Sequence, residues 1–591
     1  MAKRVMKNVS NKMYYGIVSG IVFALIILIN IIVSFLDFRV DFTRDKRYSL
    51  TPSTIDFLNQ DTLFTDKILF KVYLEGDFPA EIKRLQTAVR DKLKEFKYYA
   101  GDKIEYEFID PNKGSVEDQQ ALKEELFHRG QGIRPADITY RSKGSANIIE
   151  IFPGATVHFR GATIGHIRFL EGGQYRLDDR LEQVVQRGVN NIEYELMREI
   201  AKATRTDKKK LAFVHGHGEL GIPFTQGARR NIEDTYIIED VQINGVLHGL
   251  DKYDGIIIAD PKQRFTDQDK FIIDQYLMQG GNVMVFNNPL EINNDTIRRT
   301  GKVHSIRKRT GISELLFDYG IKVNEDLVVD ANYDPFIMPG LPKGFVNWYF
   351  YVRAQGTDHP ISSLVQPVKL PYASSLQFVP NNNKTKATVI LTTSTNARSY
   401  GNVPLLSIAI ENQFGENPIF QEDLENEENR LMLGGIVEGE FESAYKNRIV
   451  STYMDSPDAS FIERSQQPGK VMVVSNGTFF KNSYYDSVPV PEENRYRYMP
   501  RLPRGHEIDE LFGGASFGNF IFFENCLDYM LGESTLLSIR TRAIDLHPTD
   551  KLKIEQQGTF YKVINILVPV VSILLLAVIV FVVRRYKYVK K

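Results

Sequence analysis

Two long apolar stretches lie near the two ends of the chain, and the sequence between them alternates apolar and polar residues. Residues 16–36 and residues 563–583 each form a run of 21 residues without a charged side chain. A helix of this length is long enough to cross the ~30 Å hydrocarbon core of a bilayer. The first run is followed directly by Asp37 and Phe38, and the sequence at its end, "FLDF" (residues 35–38), is unlike the small-residue cleavage site of a signal peptide. We therefore predict a transmembrane helix at each end.

Basic residues flank both stretches on their terminal sides. They are Lys3, Arg4, Lys7 and Lys12 before the first stretch, and Arg584, Arg585, Lys587, Lys590 and Lys591 after the second. An excess of Lys and Arg beside a span marks its cytoplasmic side. The pattern therefore predicts that residues 1–15 and the tail 584–591 face the cytoplasm. It places the body, residues 37–562, across the membrane.

The first part of the body, residues 37–203, combines two kinds of apolar spacing. Ser53 or Thr54 is placed to cap a short helix after a charged segment. The spacing then predicts strands at 68–73 and 103–109, helices at 80–99, 116–128 and 191–203, and a β pair within 147–169 that turns near Gly154 and Gly161. Helices that alternate with strands are typical of a small α/β domain.

The second part, residues 204–550, contains short apolar runs that read as buried strands. We predict strands at 211–215, 236–243, 254–259 and 282–289, with later ones at 387–392, 431–437 and 470–475 completing the sheet, and a helix that Thr266 caps. Continuous apolar strands separated by amphipathic helices indicate a parallel sheet covered on both faces. Residues from about 290 to 430 are rich in Asn, Pro and Tyr and are interpreted as an insertion with long loops. Residues 551–562 would link this domain to the second span.

Composition excludes some classes of function. The formal net charge of −1 gives no reason to expect a nucleic-acid partner. The single cysteine, Cys526, excludes an internal disulfide framework and a cysteine-based zinc site. Cys526 lies in the pattern of an amphipathic helix, where we predict a core residue instead of a nucleophile. A phosphate-binding G-x-x-x-x-G-K-[ST] loop does not occur in the sequence, so the chain does not supply its own ATP hydrolysis.

Candidate binding residues collect where the predicted parallel strands end, which is where ligands bind in open α/β sheets. The loop after strand 211–215 contributes His215, Gly216, His217, Gly218 and Glu219. Later strand ends contribute Asp260, Asn287 and Asn476. We predict that these eight residues form a ligand- or partner-binding edge, with no metal and no cofactor.

The sequence "VHGHGELG", residues 214–221, leaves four interpretations open. Its glycines match the dinucleotide fingerprint G-x-G-x-x-G, with Glu239 and Asp240 as possible ribose ligands, although both acids fall inside a predicted strand. His215, His217 and Glu219 alternate as metal ligands on a strand would, but the glycines favour a turn. A tight structural turn with glycines at positive φ is the third interpretation. A metal-free ligand or partner site is the fourth.

Several motifs between the two predicted spans resemble a known family. In chain order they are "RYSLTPST", "GHGEL", "DGIIIADPKQRFTDQDKFIIDQYLMQGGNVMVFNNP", "HPI", "GIVEGEFESAY", "PGKVMVVSNGTFF" and "GNFIFFENCLDYMLGESTLLSIRTR". Together with the paired spans they resemble the gliding-motility auxiliary proteins of the ABC-type transport auxiliary family, across nearly the whole chain. The resemblance implies a body in the bacterial periplasm and anchors in the inner membrane. It also implies two partners, a polytopic ABC permease and, through it, a cytoplasmic ABC ATPase.

The same resemblance implies the fold of the central domain. It would be flavodoxin-like or glutamine-amidotransferase-like, as in intraflagellar-transport proteins. Catalytic relatives of that fold carry a nucleophilic cysteine on a sharp turn, and this chain has no cysteine near a candidate turn. The leading hypothesis is therefore a non-catalytic binding subunit. Its rivals are a hydrolase that uses His215, His217 and Glu219, and a purely structural scaffold of the envelope.

Overall fold

The computed structural model forms two compact units, residues 1–542 and residues 543–591. It describes residues 18–25, 27–28, 49–60, 63–126, 133, 135–142, 145–170, 173–176, 179–204, 208–233, 235–338, 341, 344–363, 365–381, 384–402, 404–409, 429–447, 461–480, 518–532, 534–540 and 551–589. The mixed α/β class predicted from the sequence is confirmed for the body.

The described part of the N-terminal lobe contains two sheets and four α-helices. Its strands are β1 Ile68–Val72, β2 Ile104–Phe108, β3 Ala136–Ser142, β4 Ser145–Ile151, β5 Gly154–Phe159, β6 Ala162–Arg168 and β7 Gly173–Arg176. Its helices are α1 Pro52–Leu58, α2 Ala80–Ala100, α3 Val116–Leu126 and α4 Asp179–Thr204. One sheet has the order β2-β1-β5-β6 and the other the order β4-β3-β7. The second sheet was not predicted, apart from the stretch that forms β4.

Helix α1 begins two or three residues earlier than the sequence predicted. Its N-cap is Thr51, whose hydroxyl accepts a hydrogen bond from the backbone N–H of Thr54, and Pro52 occupies the first turn. The prediction that Ser53 or Thr54 caps the helix was therefore wrong. A proline fits the first turn because the N–H it lacks would have no partner within the helix. The helices predicted at 80–99, 116–128 and 191–203 are present as α2, α3 and α4, although α4 starts at Asp179, well before the predicted start at 191.

The central domain is built on a sheet of eleven strands. Its parallel part consists of β8 Lys210–His215, β9 Ile237–Gln242, β10 Gly255–Ala259, β11 Asn282–Phe286 and a late strand, β26 Gly469–Val474. Their order is β26-β11-β10-β8-β9, and all four contacts between neighbours are parallel. Helices α5 Ile222–Ile232 and α6 Asp267–Met278 connect the early strands.

The parallel strands are buried on both faces, as their continuous apolar runs predicted. Leu211 and Phe213 of β8 face a core that includes Ala228 and Ile232 of α5. Ala212 and Val214 belong to the opposite core, which includes residues of α6. Burial on both sides explains why polar residues are displaced from these strands to their ends.

Between β11 and β26 the chain adds a second, mostly antiparallel region. Its helices are α7 Asn294–Thr300 and α8 Ile312–Asp318. Its strands are β12 Leu290–Glu291, β13 Lys302–His304, β14 Ile306–Arg307, β15 Ile321–Val323, β16 Asp326–Asp330, β17 Phe336–Ile337, β18 Phe345–Val346, β19 Tyr351–Gly356, β20 Val368–Pro371, β21 Leu376–Phe378, β22 Lys384–Thr392, β23 Ala397–Asn402, β24 Leu405–Ser407 and β25 Met432–Glu440. The prediction of long loops was wrong for the described part of 290–430, because this region has a buried core around Trp348 and Phe350.

The direction of two predicted strands also differs from the expectation. β25 is antiparallel to β26, and β22 is antiparallel to β25. These strands extend the sheet along the path β20-β19-β22-β25-β26. The prediction that they complete a parallel sheet is therefore correct for β26 and wrong for β22 and β25.

Two helices end the described part of the first unit, α9 Asn519–Met530 and α10 Ser534–Arg540. Helix α9 packs on the central sheet through Phe522 and Cys526. Helix α10 returns to the N-terminal lobe, where Leu536 and Ile539 join its core. The lobe is thus completed by residues from both ends of the body.

The second unit is a single long helix, α11 Lys551–Val589. Its segment Val563–Tyr586 is long and apolar enough to cross a membrane, with a mean hydropathy of 3.3. This segment contains the predicted second span, including Pro569 within the helix. Of the predicted first span, residues 18–25 and 27–28 are described as helical, and the rest of that prediction lies outside the described residues.

Candidate functional site

The candidate residues lie along one edge of the central sheet, where its parallel strands end. The strand order places Asn476 beyond β26, Asn287 beyond β11, Asp260 beyond β10 and the loop 215–221 at the end of β8. The expectation that these positions share an edge is therefore confirmed. Their side chains do not converge on one point. They form three neighbouring clusters.

The loop 215–221 is a tight turn that depends on glycine. Gly216 has a φ of 122° and Gly218 a φ of 75°. A Cβ atom added to Gly218 would lie 3.1 Å from Cβ of Lys262. Residues with a side chain rarely adopt such φ values, so both positions favour glycine. The predicted positive φ at these two glycines is confirmed.

His217 lies buried between two carboxylates. Its Nδ1 is 3.3 Å from Oε1 of Glu219, and its Nε2 is 3.1 Å from Oδ2 of Asp269. The backbone N–H of His217 also donates to Oε2 of Glu219 at 2.7 Å. Burial alone would lower the pKa of His217, but the hydrogen bonds and charges of Glu219 and Asp269 outweigh it and raise the pKa above its usual range.

The position of Asp269 follows from the start of helix α6. The hydroxyl of Thr266 accepts from the backbone N–H of Asp269 at 3.1 Å and donates to its Oδ2 at 2.6 Å. This arrangement is close to a capping box and holds the carboxylate at the helix N-terminus. The cap at Thr266 was predicted from the sequence, but the contact between Asp269 and the loop was not. The sequence feature that pointed to Asp269 is its place as an acid at the third helical position, next to the cap.

Main-chain hydrogen bonds join the loop after β8 to the segment after β10. The carbonyl of His217 accepts from the backbone N–H groups of Lys262 and Gln263, at 2.8 and 2.7 Å. The backbone N–H of Leu220 donates to the carbonyl of Ala259 at 2.9 Å. Strands β9 and β10 lie on opposite sides of β8, so the strand order changes direction between β8 and β10. Open α/β sheets hold their ligands at such a switch point. Here that crevice is bridged by the protein's own backbone.

These contacts count against two interpretations of the loop. A dinucleotide would need free backbone N–H groups, but the N–H of His217 is occupied by Glu219. A metal would need His215 and His217 together, but their imidazoles contact different carboxylates. Among the described residues there is no group of three or more His, Cys, Asp or Glu that could hold a metal ion.

His215 belongs to a second cluster, at the ends of β8 and β9. Its Nε2 lies 2.5 Å from Oδ1 of Asp240, and Arg229 of α5 holds the same carboxylate through both terminal nitrogens. Burial tends to raise the pKa of Asp240, but its hydrogen bonds to Arg229 and His215 outweigh burial and lower it. The side chains of His215 and Asp240 are 26% and 34% exposed, so this cluster is open to solvent. Arg229 was not among the residues predicted from the sequence.

The third cluster surrounds Asp260, which adopts a φ of 52°. Nζ of Lys308 lies 2.6 Å from Oδ1 of Asp260 and 3.4 Å from Oδ1 of Asn288, and this ion pair is almost fully buried. The backbone N–H of Gly477 donates to the same amide oxygen of Asn288 at 3.1 Å. Lys308 therefore ties the ends of β10, β11 and β26 together. Its position could not be read from the sequence, because it lies 48 residues from Asp260.

Asn287 and Asn476 are buried near this cluster. The amide nitrogen of Asn476 donates to the carbonyl of Pro371. Oδ1 of Asn287 and Oγ of Ser475 are buried without a hydrogen-bond partner among the described residues. Their strands are adjacent, since the backbone N–H of Asn287 donates to the carbonyl of Val474 at 3.1 Å. The edge beyond β11 and β26 thus carries unused hydrogen-bonding capacity.

Cys526 is a core residue, as predicted. It is fully buried in α9, and burial raises its pKa well above the usual value. A thiol in this state is neither ionised nor reachable by a substrate. Cys526 therefore lacks the properties of a nucleophile.

A serine pattern deserves the same test. Residues 514–518 read G-A-S-F-G, which matches the nucleophile pattern G-x-S-x-G at Ser516. Ser516 is outside the described residues, but the backbone N–H of Gly518 donates to the carbonyl of Pro367, just before β20. β20 ends the sheet path opposite to β8 and β9, where His215 and His217 contact their carboxylates. Gly518, the last residue of the pattern, thus lies beside β20, at the other end of the sheet path from the histidine clusters.

Comparisons with known proteins agree with an auxiliary role in transport. A family model described as ABC-type uncharacterized transport system matches residues 208–499. A model described as a domain of unknown function (DUF7088) matches residues 44–158. The first match supports an ABC-transporter auxiliary protein with a transporter-associated role.

The other two comparisons add little. No curated protein matches the chain. Among solved structures, the chain is similar to one described as the mmIFT52 N-terminal domain, with 15% sequence identity and a TM-score of 0.28. The similarity covers 46% of this chain and 88% of that chain. At this TM-score it does not establish a shared fold.

Proposed function

We propose that the chain is a membrane-anchored, non-catalytic subunit of an ABC transporter complex required for bacterial gliding motility, similar to the gliding component GldG. Its body would lie in the periplasm and bind a substrate or a partner protein. A polytopic permease would be its direct partner and would connect it to a cytoplasmic ATPase. The family match over residues 208–499 supports the transporter part of this proposal.

The closed crevice between β8 and β10 is the observation that supports a binding role over catalysis most directly. His217, the residue placed where a reacting group would be needed, is held by Glu219 and Asp269 and covered by the backbone contacts of Lys262. A general base must reach the proton that it removes. His217 instead links the loop after β8 to the segment after β10 and to helix α6. These contacts make the sheet edge a rigid surface.

Strand order supports a flavodoxin-like central domain. Numbered along the chain, the five parallel strands β8, β9, β10, β11 and β26 are arranged 2-1-3-4-5. This is the order of the flavodoxin-like doubly wound fold. We propose this fold for residues 204–550, with the antiparallel region as an insertion between its fourth and fifth strands and residues 37–203 as a separate lobe.

Within the proposed binding edge, His215 is the residue best placed to touch a partner. Its side chain is 26% exposed, whereas His217, Asp260, Asn287 and Asn476 are buried and shape the edge from below. Gly216, next to it, is exposed as well. We expect His215→Ala to leave the melting temperature nearly unchanged and to reduce gliding. His248→Ala, a change to another exposed histidine, is the matched control.

Two outcomes would decide between binding and the other roles. Loss of gliding in His215→Ala, with normal protein abundance and normal His248→Ala behaviour, supports the edge as a binding surface. Wild-type gliding in His215→Ala would remove the edge from the proposal. Deletion of the whole chain must abolish gliding in either case, since normal gliding without it would refute the function itself.

The proposed topology has its own test. Since basic residues flank both apolar stretches on their terminal sides, a reporter fused after residue 591 should be active as a cytoplasmic protein. A reporter inserted near residue 300 should be active as a periplasmic one. A cytoplasmic signal from the insertion near residue 300 would place the body in the cytoplasm and refute the proposed periplasmic location.

A further inference from the structure

A strongly basic surface lies in the antiparallel region, on the segment that also supplies Lys308 to the Asp260 cluster. Residues 296–310, "TIRRTGKVHSIRKRT", contain six Lys and Arg residues and no acid, in a chain whose formal net charge is −1. One of the six, Lys308, is buried against Asp260. The other five are exposed, together with His304. We call this set the basic platform; it consists of Arg298, Arg299, Lys302, His304, Arg307 and Arg309.

The backbone beneath the basic platform is fixed by the core. Ile297 of α7 and Val303 of β13 point inward into the cluster around Trp348. β13 pairs with β24, and β14 pairs with β12, both antiparallel. Both the backbone N–H and the hydroxyl of Ser305 donate to the carbonyl of Pro404. Because the apolar residues face inward, the basic side chains are presented outward from a rigid support.

Few carboxylates neutralise this surface. Arg298 pairs with Asp295 at 3.2 Å and Arg307 pairs with Glu325 at 2.8 Å. Both pairs are exposed, and exposed ion pairs exchange readily with water and salt. In the part of the chain that the structure describes, Arg299, Lys302 and Arg309 form no ion pair. Among the described residues, the platform therefore keeps a local positive charge that these two exposed pairs balance only in part.

Apolar side chains are exposed among these charges. Ile306 lies next to Arg307 in β14 and is 64% exposed. Leu405 is paired with His304 across the β13–β24 ladder and is also exposed. A surface that mixes Lys and Arg with exposed aliphatic side chains is typical of proteins that lie against anionic lipid. An acidic polypeptide would be attracted by the charges but gives no reason for the exposed aliphatic residues.

The chain also carries a candidate membrane span, Val563–Tyr586. A protein tethered to a bilayer meets that bilayer at a high effective concentration, so a modest surface suffices for a second contact. We propose that the basic platform docks on the anionic lipid headgroups of the membrane in which the chain is anchored. The contact would hold the body against that membrane. This inference does not depend on the gliding function.

The experiment uses the full-length protein in lipid nanodiscs. Thr300, exposed at the end of α7, is changed to Cys and labelled with an environment-sensitive fluorophore, while the buried Cys526 stays unlabelled. Quenching by brominated lipid is compared in phosphatidylcholine alone and in phosphatidylcholine mixed with phosphatidylglycerol. We expect quenching with phosphatidylglycerol, and we expect high salt to reverse it because salt screens exposed charges.

A triple variant tests whether the platform causes the effect. Each basic residue strengthens attachment to an anionic surface about fivefold, so Arg299→Gln, Lys302→Gln and Arg309→Gln together should weaken docking on the order of a hundredfold. The matched control changes three exposed lysines of the N-terminal lobe, Lys83→Gln, Lys94→Gln and Lys113→Gln, and should retain quenching.

Three results would overturn the proposal. Equal quenching in the two lipid compositions would show that headgroup charge is not recognised. Quenching of the triple variant equal to that of the unchanged platform would show that Arg299, Lys302 and Arg309 do not cause the docking. Binding of polyglutamate to the platform, without quenching by phosphatidylglycerol discs, would assign the surface to an acidic polypeptide instead of the membrane.

Discussion

The imidazole of His217 is stacked on the ring of Phe265, with 3.7 Å between the ring centroids and 15° between the planes. The same imidazole contacts Glu219 on one side and Asp269 on the other. A cation over an aromatic face is attracted by the electrons of the ring, so the stacking favours the protonated form further. His217 therefore links the loop after β8 to helix α6, and its contacts favour the protonated imidazole.

This link predicts a pH dependence of stability. The pKa of His217 is raised in the folded protein, so its contribution is fully present below the unfolded pKa of about 6.5. The contribution is lost as the pH rises through the folded pKa. We expect the melting temperature of the wild type to exceed that of His217→Gln at about pH 6, with a smaller difference at higher pH. A difference that does not change with pH would contradict a charged His217.

Truncation of the same residue should be costly. His217→Ala leaves the carboxylates of Glu219 and Asp269 buried without their partner, and such losses cost about 3–5 kcal/mol of unfolding free energy. Glu219→Gln keeps an oxygen that can accept from the N–H of His217 and should cost less, about 1–2 kcal/mol. Denaturant titration measures both. The burial of both side chains predicts that loss of stability comes first.

The burial of His217 and Glu219 could not be predicted from the sequence. Local sequence shows that residues 215–221 form a glycine-rich turn, but it does not show which residues pack over the turn. Asp269 lies 52 residues later, and its contact with His217 exists only because β8 and α6 fold together. The strand that precedes a residue therefore predicts that the residue lies at the sheet edge. Whether the residue is buried there depends on partners that are distant in the sequence.

The same distinction explains what could be predicted of the fold. β8, β10 and β11 were identified because continuous apolar runs indicate strands buried on both faces. Their periodicity carries no information on direction, so the antiparallel pairing of β22 and β25 was missed. β12, β14, β17 and β18 are two residues long, too short for any apolar period to reveal them. The core around Trp348 was overlooked for that reason.

The turn itself can be tested through its glycines. Gly218→Val introduces a β-branched side chain at a φ of 75° and close to Lys262, which should cost at least about 1 kcal/mol. Gly221→Ser is the matched control, because Gly221 caps α5 at a φ of −68°, where serine is favoured. Thermal unfolding should show a clear loss for the first variant and none for the second. Equal melting temperatures would mean that the turn does not need glycine at 218.

Cys526 offers a test of the non-catalytic assignment. Since the thiol is fully buried, a thiol reagent should not modify the native protein and should modify it fully in denaturant. Cys526→Ser buries a hydroxyl in an apolar core and should cost about 1–3 kcal/mol. We expect gliding to fall only as far as protein abundance falls. Loss of gliding at unchanged abundance and melting temperature would restore nucleophilic chemistry as an explanation.

The central claim is that the chain works as a subunit of an ABC transporter, and co-purification tests it most directly. The tagged full-length protein is solubilised from native membranes in mild detergent, and its partners are quantified by mass spectrometry. A tagged version of α11 alone, residues 551–589, controls for nonspecific capture of membrane proteins. The account predicts a polytopic permease and an ABC ATPase in fixed ratio with the full-length chain and absent from the control. Recovery of the full-length protein without either transporter component would contradict it.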